Sequence, residues 1–182
     1  VNNVYSLKDN VTYVFVTTVD LEGGRIVCGE NTTLIGGSSE NCRIKSTGLS
    51  GSSALITSQY SLPMRNLTIE AAKALDLDAA SNPGSALDWF GVNFTDCVSC
   101  GTISNYNNFI ASDCAWLNSG TMTFDGNHGT IGFSHCLFST RASSISLSVS
   151  ATAIISRRFR VIYSSFVTTS GAISINFSAF AS

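Results

Sequence analysis

The sequence predicts an all-β chain wound as a parallel β-solenoid, and three observations carry that expectation. The first is a six-residue phrase written five times: apolar, any residue, apolar or aromatic, hydroxyl, any residue, Cys or Phe. It reads Val92-Asn-Phe-Thr-Asp-Cys97, Phe109-Ile-Ala-Ser-Asp-Cys114, Ile131-Gly-Phe-Ser-His-Cys136, Val161-Ile-Tyr-Ser-Ser-Phe166 and Ile175-Asn-Phe-Ser-Ala-Phe180. Its first and third positions share one face of an extended strand, because side chains alternate with period two, and the hydroxyl marks a turn before the next inward residue. The second observation is spacing. The first three phrases recur at 17 and 22 residues, which fits a coil of about 20 residues that buries its apolar face only against its neighbours. The later intervals of 30 and 14 read as a coil with an inserted loop and as either a second face of one coil or a chance match. The third is composition: 15 glycines and 2 prolines among many β-branched residues favour short strands and tight turns over helices.

Taken in order, Val11-Thr-Tyr-Val-Phe-Val16 alternates as a strand, and Val19 to Gly24 turns into Arg25-Ile-Val-Cys28 to complete an opening coil. An apolar pair in Asn31-Thr-Thr-Leu-Ile-Gly-Gly37 ends on two glycines, and Asn41-Cys-Arg-Ile-Lys-Ser46 is a short strand with Cys42 and Ile44 on one face. A turn and strand follow over Leu49 to Ile56, and Asn66-Leu-Thr-Ile-Glu70 begins a rung with Leu67 and Ile69 inward. The segment Glu70-Ala-Ala-Lys-Ala-Leu75 has high helix propensity. Leu75-Asp-Leu-Asp-Ala79 nonetheless alternates with period two, and strand is expected across 68–80 because architecture overrides local propensity. After the turn at Asn82-Pro-Gly84, Leu87-Asp-Trp-Phe90 leads into the five phrases. Ser143 to Ile155 pads a coil, and Ser156-Arg-Arg-Phe-Arg160 reads as a solvated turn.

Length suits one domain over 1–182, large enough for a core without staples. The chain begins at Val1 rather than Met and reaches Ser182 directly after a rung, so the expectation is that it belongs to a longer chain or that a partner covers its end. Only 12% of residues are charged, about half the usual share. A net charge of −2 gives no electrostatic reason to expect nucleic acid, and no apolar run reaches the ~20 residues of a membrane span. Among six cysteines, Cys97 and Cys100 form a lone CxxC without the second pair that a zinc site needs. Cys97, Cys114 and Cys136 share one slot of the phrase and are expected to stack as small buried hydrophobes, free thiols suited to a reducing cytosol. No metal or cofactor is expected.

The candidate site residues follow from the same grammar. Asp96, Asp113 and His135 fill the fifth slot of three phrases, which predicts a column on an outer turn where stacked carboxylates repel unless a cation or hydrogen bonds compensate. Asp is equally favoured at exposed turns for backbone hydrogen bonding alone, and no basic residue stands alongside, so the column is expected to be no active site. Asp76 and Asp78 form a second carboxylate pair. Arg157, Arg158 and Arg160 could meet an acidic partner surface. Trp89 and Trp116, with Tyr106 and Tyr5, could line a sugar-binding groove, whereas Phe90, Phe94, Phe133 and Phe138 fall in or beside core slots.

Thr32-Thr-Leu-Ile-Gly-Gly-Ser38, Leu62-Pro-Met-Arg-Asn-Leu-Thr-Ile69, Leu87-Asp-Trp-Phe-Gly-Val-Asn-Phe94 and Gly129-Thr-Ile-Gly-Phe-Ser-His-Cys-Leu-Phe138 resemble the right-handed parallel β-helix segments of tailed-phage virion proteins, an architecture shared with pectate lyases. The resemblance runs from about Val11 to Phe166. It implies a structural or host-surface-contacting role as tail spike, tail fibre or capsid decoration, often as a homotrimer or bound to other virion proteins, assembled in the host cytoplasm. The alternatives are a polysaccharide-degrading spike, lyase or glycosidase, which would need calcium-binding carboxylates with a basic residue, or paired acids across a groove, and a secreted β-helix adhesin.

Overall fold

The computed structural model describes residues 3–141, 144–149 and 158–177. All regular structure in them is parallel strand, stacked as three sheets in a β-solenoid of about seven turns. The first sheet contains Val4–Ser6, Arg25–Val27, Ile56–Ser58, Lys73–Asp78, Ser99–Ser104, Thr121–Asp125, Ile145–Val149 and Ile173–Phe177. The second contains Thr12–Phe15, Thr33–Gly36, Met64–Arg65, Ala86–Phe90, Asn108–Ser112, Thr130–Ser134 and Arg158–Ile162. The third contains Val19–Asp20, Arg43–Lys45, Thr68–Glu70, Asn93–Thr95, Ala115–Leu117, Leu137–Thr140 and Ser165–Thr168. Each coil visits the three sheets in turn, and Arg25–Val27, paired with Val4–Ser6, opens the second coil rather than closing the first.

The chain turns between walls through residues at positive φ. Between the second and third sheets stand Asn66 (51°), Gly91 (63°), Asp113 (52°), His135 (53°) and Tyr163 (49°); between the third and first stand Asp96 (52°) and Asn118 (51°); between the first and second stand Asn10 (58°), Asn31 (53°), Asn105 (62°) and Gly126 (69°). Asn, Asp and Gly tolerate this left-handed region best, which is why they punctuate the sequence. Their side chains also bond from coil to coil: Asn31 Nδ2 donates to Asn10 Oδ1 at 3.0 Å, and Asn118 Nδ2 donates to Asp96 Oδ1 at 2.8 Å.

The interior is filled by ranks that run along the axis. In the second sheet Leu87, Phe109, Ile131 and Phe159 stack in register, and beside them Met64, Trp89, Ala111, Phe133 and Val161. In the third sheet the rank is Ile69, Phe94, Trp116, Phe138 and Phe166. Trp116 stacks on Phe94 and on Phe138 at centroid distances of 5.5 and 4.8 Å, within the favourable range for aromatic pairs.

The shared phrase predicts that Val92, Phe109, Ile131 and Val161 stack in one parallel sheet, with Phe94, Ala111, Phe133 and Tyr163 beside them, and the observed register corrects this. Only the second and third align, with Phe109 on Ile131 and Ala111 on Phe133. The first phrase lies in the third sheet, and Ile175 to Phe177 of the fifth lies in the first sheet, its last three residues falling outside the described set. In the fourth, Val161 pairs with Phe133, two residues out of the expected frame, and Tyr163 leaves the core for the exposed corner. Two other expectations also shift: Phe90 points outward, 42% exposed, and Arg158–Ile162 is a strand rather than a turn. Strand across 68–78 holds, as Thr68–Glu70 and Lys73–Asp78 with Leu75 and Leu77 buried.

Candidate functional site

Asp96, Asp113 and His135 do not form one column. Asp113 and His135 share the corner between the second and third sheets, whereas Asp96 stands at the next corner round the coil, where it accepts from Asn118. Positive φ accounts for all three. His135 places Nδ1 2.9 Å from Ser134 Oγ, and its ring stacks on Tyr163 at 5.3 Å. Among the described residues no three His, Cys, Asp or Glu side chains gather as a metal site.

Trp89 and Trp116 belong to the core. Both are fully buried, as is Tyr106, so none presents a ring to a ligand, while Tyr5 is exposed. Trp89 Nε1 donates to the Leu62 carbonyl at 3.1 Å, whereas Trp116 Nε1 has no hydrogen-bond partner. Arg158 and Arg160 lie on the outer face of the second sheet, exposed, and Arg157 is outside the described residues. All six cysteines are free and buried. Cys114 and Cys136 stack as expected, while Cys97 sits at the other corner, where its Sγ donates to the Ile69 carbonyl at 3.5 Å.

The feature that the phrase did not reveal is the outer wall of the first sheet. One outward side chain per coil stands in register along it: Val27, Thr57, Asp76, Thr102, Thr123, Ser148 and Asn176. Ser99 and Thr121 form a parallel rank beside them, as do Ser146 and Ser174. The hydroxyls and amides bond into neighbouring coils, with Thr57 Oγ1 on the Ile26 carbonyl at 3.3 Å and Asn176 Nδ2 on Ser146 Oγ at 2.8 Å. The signal was present in sequence as alternation, as in Thr121-Met-Thr-Phe-Asp125, where the inward residues are apolar and the outward ones short and polar.

Over coils two to four this wall opens into a groove of about 490 Å³ lined by Val27, Cys28, Thr57, Ser58, Gln59, Tyr60, Asp76 and Asp78. It exists because the second and third coils leave the sheet after three residues while the fourth runs on to Asp78. Its acids are already engaged. Asp76 pairs with Lys73 at 3.3 Å, and Asp78 Oδ1 accepts from Ala80 N at 3.0 Å and Asn105 Nδ2 at 2.8 Å. Burial pushes the Cys28 thiol up to about 12, so it offers no nucleophile near neutrality. The groove can accept hydrogen bonds from a hydroxyl-rich ligand. No family model, no curated protein and no solved structure matches the chain.

Proposed function

We propose that the chain is a structural, non-enzymatic building block of a tailed-phage particle, as tail spike, fibre or capsid decoration, and that it works through its outer walls. The observation that carries this reading is the in-register rank of short hydroxyl and amide side chains along the first sheet. Short side chains lose little rotamer entropy on burial, and from Ser99 onward the described strands of this face carry no Lys, Arg or Glu, so that part of it lacks the usual device that keeps β walls apart in solution. A second such wall, from another copy or another virion protein, therefore packs on it closely. Threefold closure follows from the resemblance to phage β-helices, and the groove at Asp76 and Asp78 gives the same wall a place to touch a host-surface glycan.

Mass spectrometry of purified particles together with analytical ultracentrifugation of the isolated protein tests this. The expected result is presence in virions and a stable oligomer in solution. A monomer absent from particles would overturn it in favour of a secreted adhesin, and oligosaccharide released from host-surface polysaccharide would overturn its non-enzymatic part in favour of a lyase or glycosidase.

A further inference from the structure

Cys114 and Cys136 follow the positive-φ residues Asp113 and His135 at the same corner of successive coils. Their flanking residues are register partners on both sides, Ser112 with Ser134 and Ala115 with Leu137, so one cysteine lies directly over the other. Neighbouring strands are about 4.8 Å apart, inside the roughly 4.4–6.8 Å Cα separation that a disulfide spans. The sulfurs also point the same way. Cys114 Sγ donates to the Ser112 carbonyl at 3.3 Å and Cys136 Sγ to the Ser134 carbonyl at 3.4 Å, and each also reaches a carbonyl of the preceding coil, Trp89 and Ala111 respectively.

We propose that Cys114 and Cys136 are a latent coil-to-coil staple, a pair that folds reduced and closes to a disulfide when the chain meets a peroxide. The oxidant must be small, because both sulfurs are enclosed by the core. Cys136 attacks first: the neighbouring Cys114 thiol holds Cys136 below the usual thiol range, and the same pairing, together with burial, pushes Cys114 up. The Cys136 sulfur bonds one peroxide oxygen as the O–O bond breaks, giving a sulfenic acid, and the departing hydroxide leaves as water with the thiol proton. The Cys114 sulfur then displaces the sulfenic oxygen, forming the S–S bond, and its proton leaves in a second water. Two thiols have given up two electrons and one peroxide has become two waters.

The test treats the intact chain, purified reduced and then freed of reductant, with hydrogen peroxide under native conditions, blocks remaining thiols and maps non-reduced peptides. The expected product is a Cys114–Cys136 linked peptide two hydrogens lighter than its parts. It should come with a Tm raised by about 5–10 °C, since the two cysteines stand 22 positions apart and loops of that length constrain the unfolded chain appreciably. Thiol reductant should reverse both changes, Cys136→Ala should abolish both, and Cys97→Ala should leave both in place. Sulfinic acid at Cys136 without a crosslink, a bridge between other cysteines, or thiols that stay intact in the folded chain would each overturn the proposal, and the map of the unsubstituted protein decides it even where a variant fails to fold.

Discussion

Asp96 and Asp113 occupy corners where φ is close to +52°, so backbone conformation, not charge, explains their residue type. Because they stand at different corners, no mutual repulsion is relieved by neutralising them. Asp96→Asn with Asp113→Asn should move the denaturation midpoint by no more than the equivalent of about 0.5 kcal/mol, since Asn accepts the same φ and can still bond Asn118. Asp113→Val should cost about 1–3 kcal/mol, because a β-branched residue is strained there. Burial holds His128 below its ordinary pKa, and Nε2 donates to the carbonyls of Asp125 at 2.9 Å and Ile103 at 3.2 Å. A depressed folded pKa means that unfolding takes up a proton, so this contribution is complete above the unfolded value of about 6.5 and declines as pH falls below it. The urea midpoint should therefore drop between about pH 7 and 5, and drop less in His128→Gln. Asp20 acts lower on the scale: bonds from the Thr47 side chain and backbone, then Glu22, hold its carboxyl far below the usual range, so its contribution is lost only in acid below about pH 4.

Phe133 shows what a rung contributes. Its ring meets Phe109, Trp116, Phe124, Phe138 and Phe159 at centroid distances of 5.4 to 6.1 Å, drawing together side chains of all three walls from three successive coils. Phe133→Ala should cost about 3–5 kcal/mol, because rungs fixed by their hydrogen bonds close poorly around a cavity, and an unchanged melting curve would contradict the packing. The same element explains what was legible in sequence. Inward residues alternate with outward ones and end on a left-handed corner, so strand, turn and burial could be read from Phe109-Ile-Ala-Ser-Asp-Cys114 alone. All three corners of a coil obey that grammar, however, so the phrase marks a corner without saying which one. The 17-residue interval from Val92 to Phe109 is a passage from the third sheet to the second, whereas the 22 residues from Phe109 to Ile131 are a true coil. Trp89 and Trp116 followed the same logic, inward by alternation with Leu87 and with the outward Ala115 and Leu117. A binding role was attractive only while their faces were unassigned.

Along the whole molecule charge is unevenly placed. The ion pairs Arg43–Glu70, Lys45–Asp20, Arg65–Asp88 and Lys73–Asp76 all belong to the first four coils, while from Val98 to Thr140 the only Asp, Glu, Lys or Arg residues are Asp113 and Asp125. If walls associate where short uncharged side chains are densest, the contact centres on Thr102 and Thr123 in coils five and six. Such a contact is held by close packing and water release, which added salt does not screen, whereas contacts between opposite charges weaken within a Debye length of about 8–10 Å. The dissociation constant measured by sedimentation should therefore change less than about threefold between low and high ionic strength. Thr102→Arg with Thr123→Arg should raise it at least about tenfold while leaving the β-rich circular dichroism spectrum unchanged, because both positions face outward and two long charged side chains cannot be buried unpaired without a large desolvation penalty. An oligomer that salt alone dissolves would place the contact on the charged early coils instead, and one that tolerates both arginines would remove the hydroxyl wall from the interface.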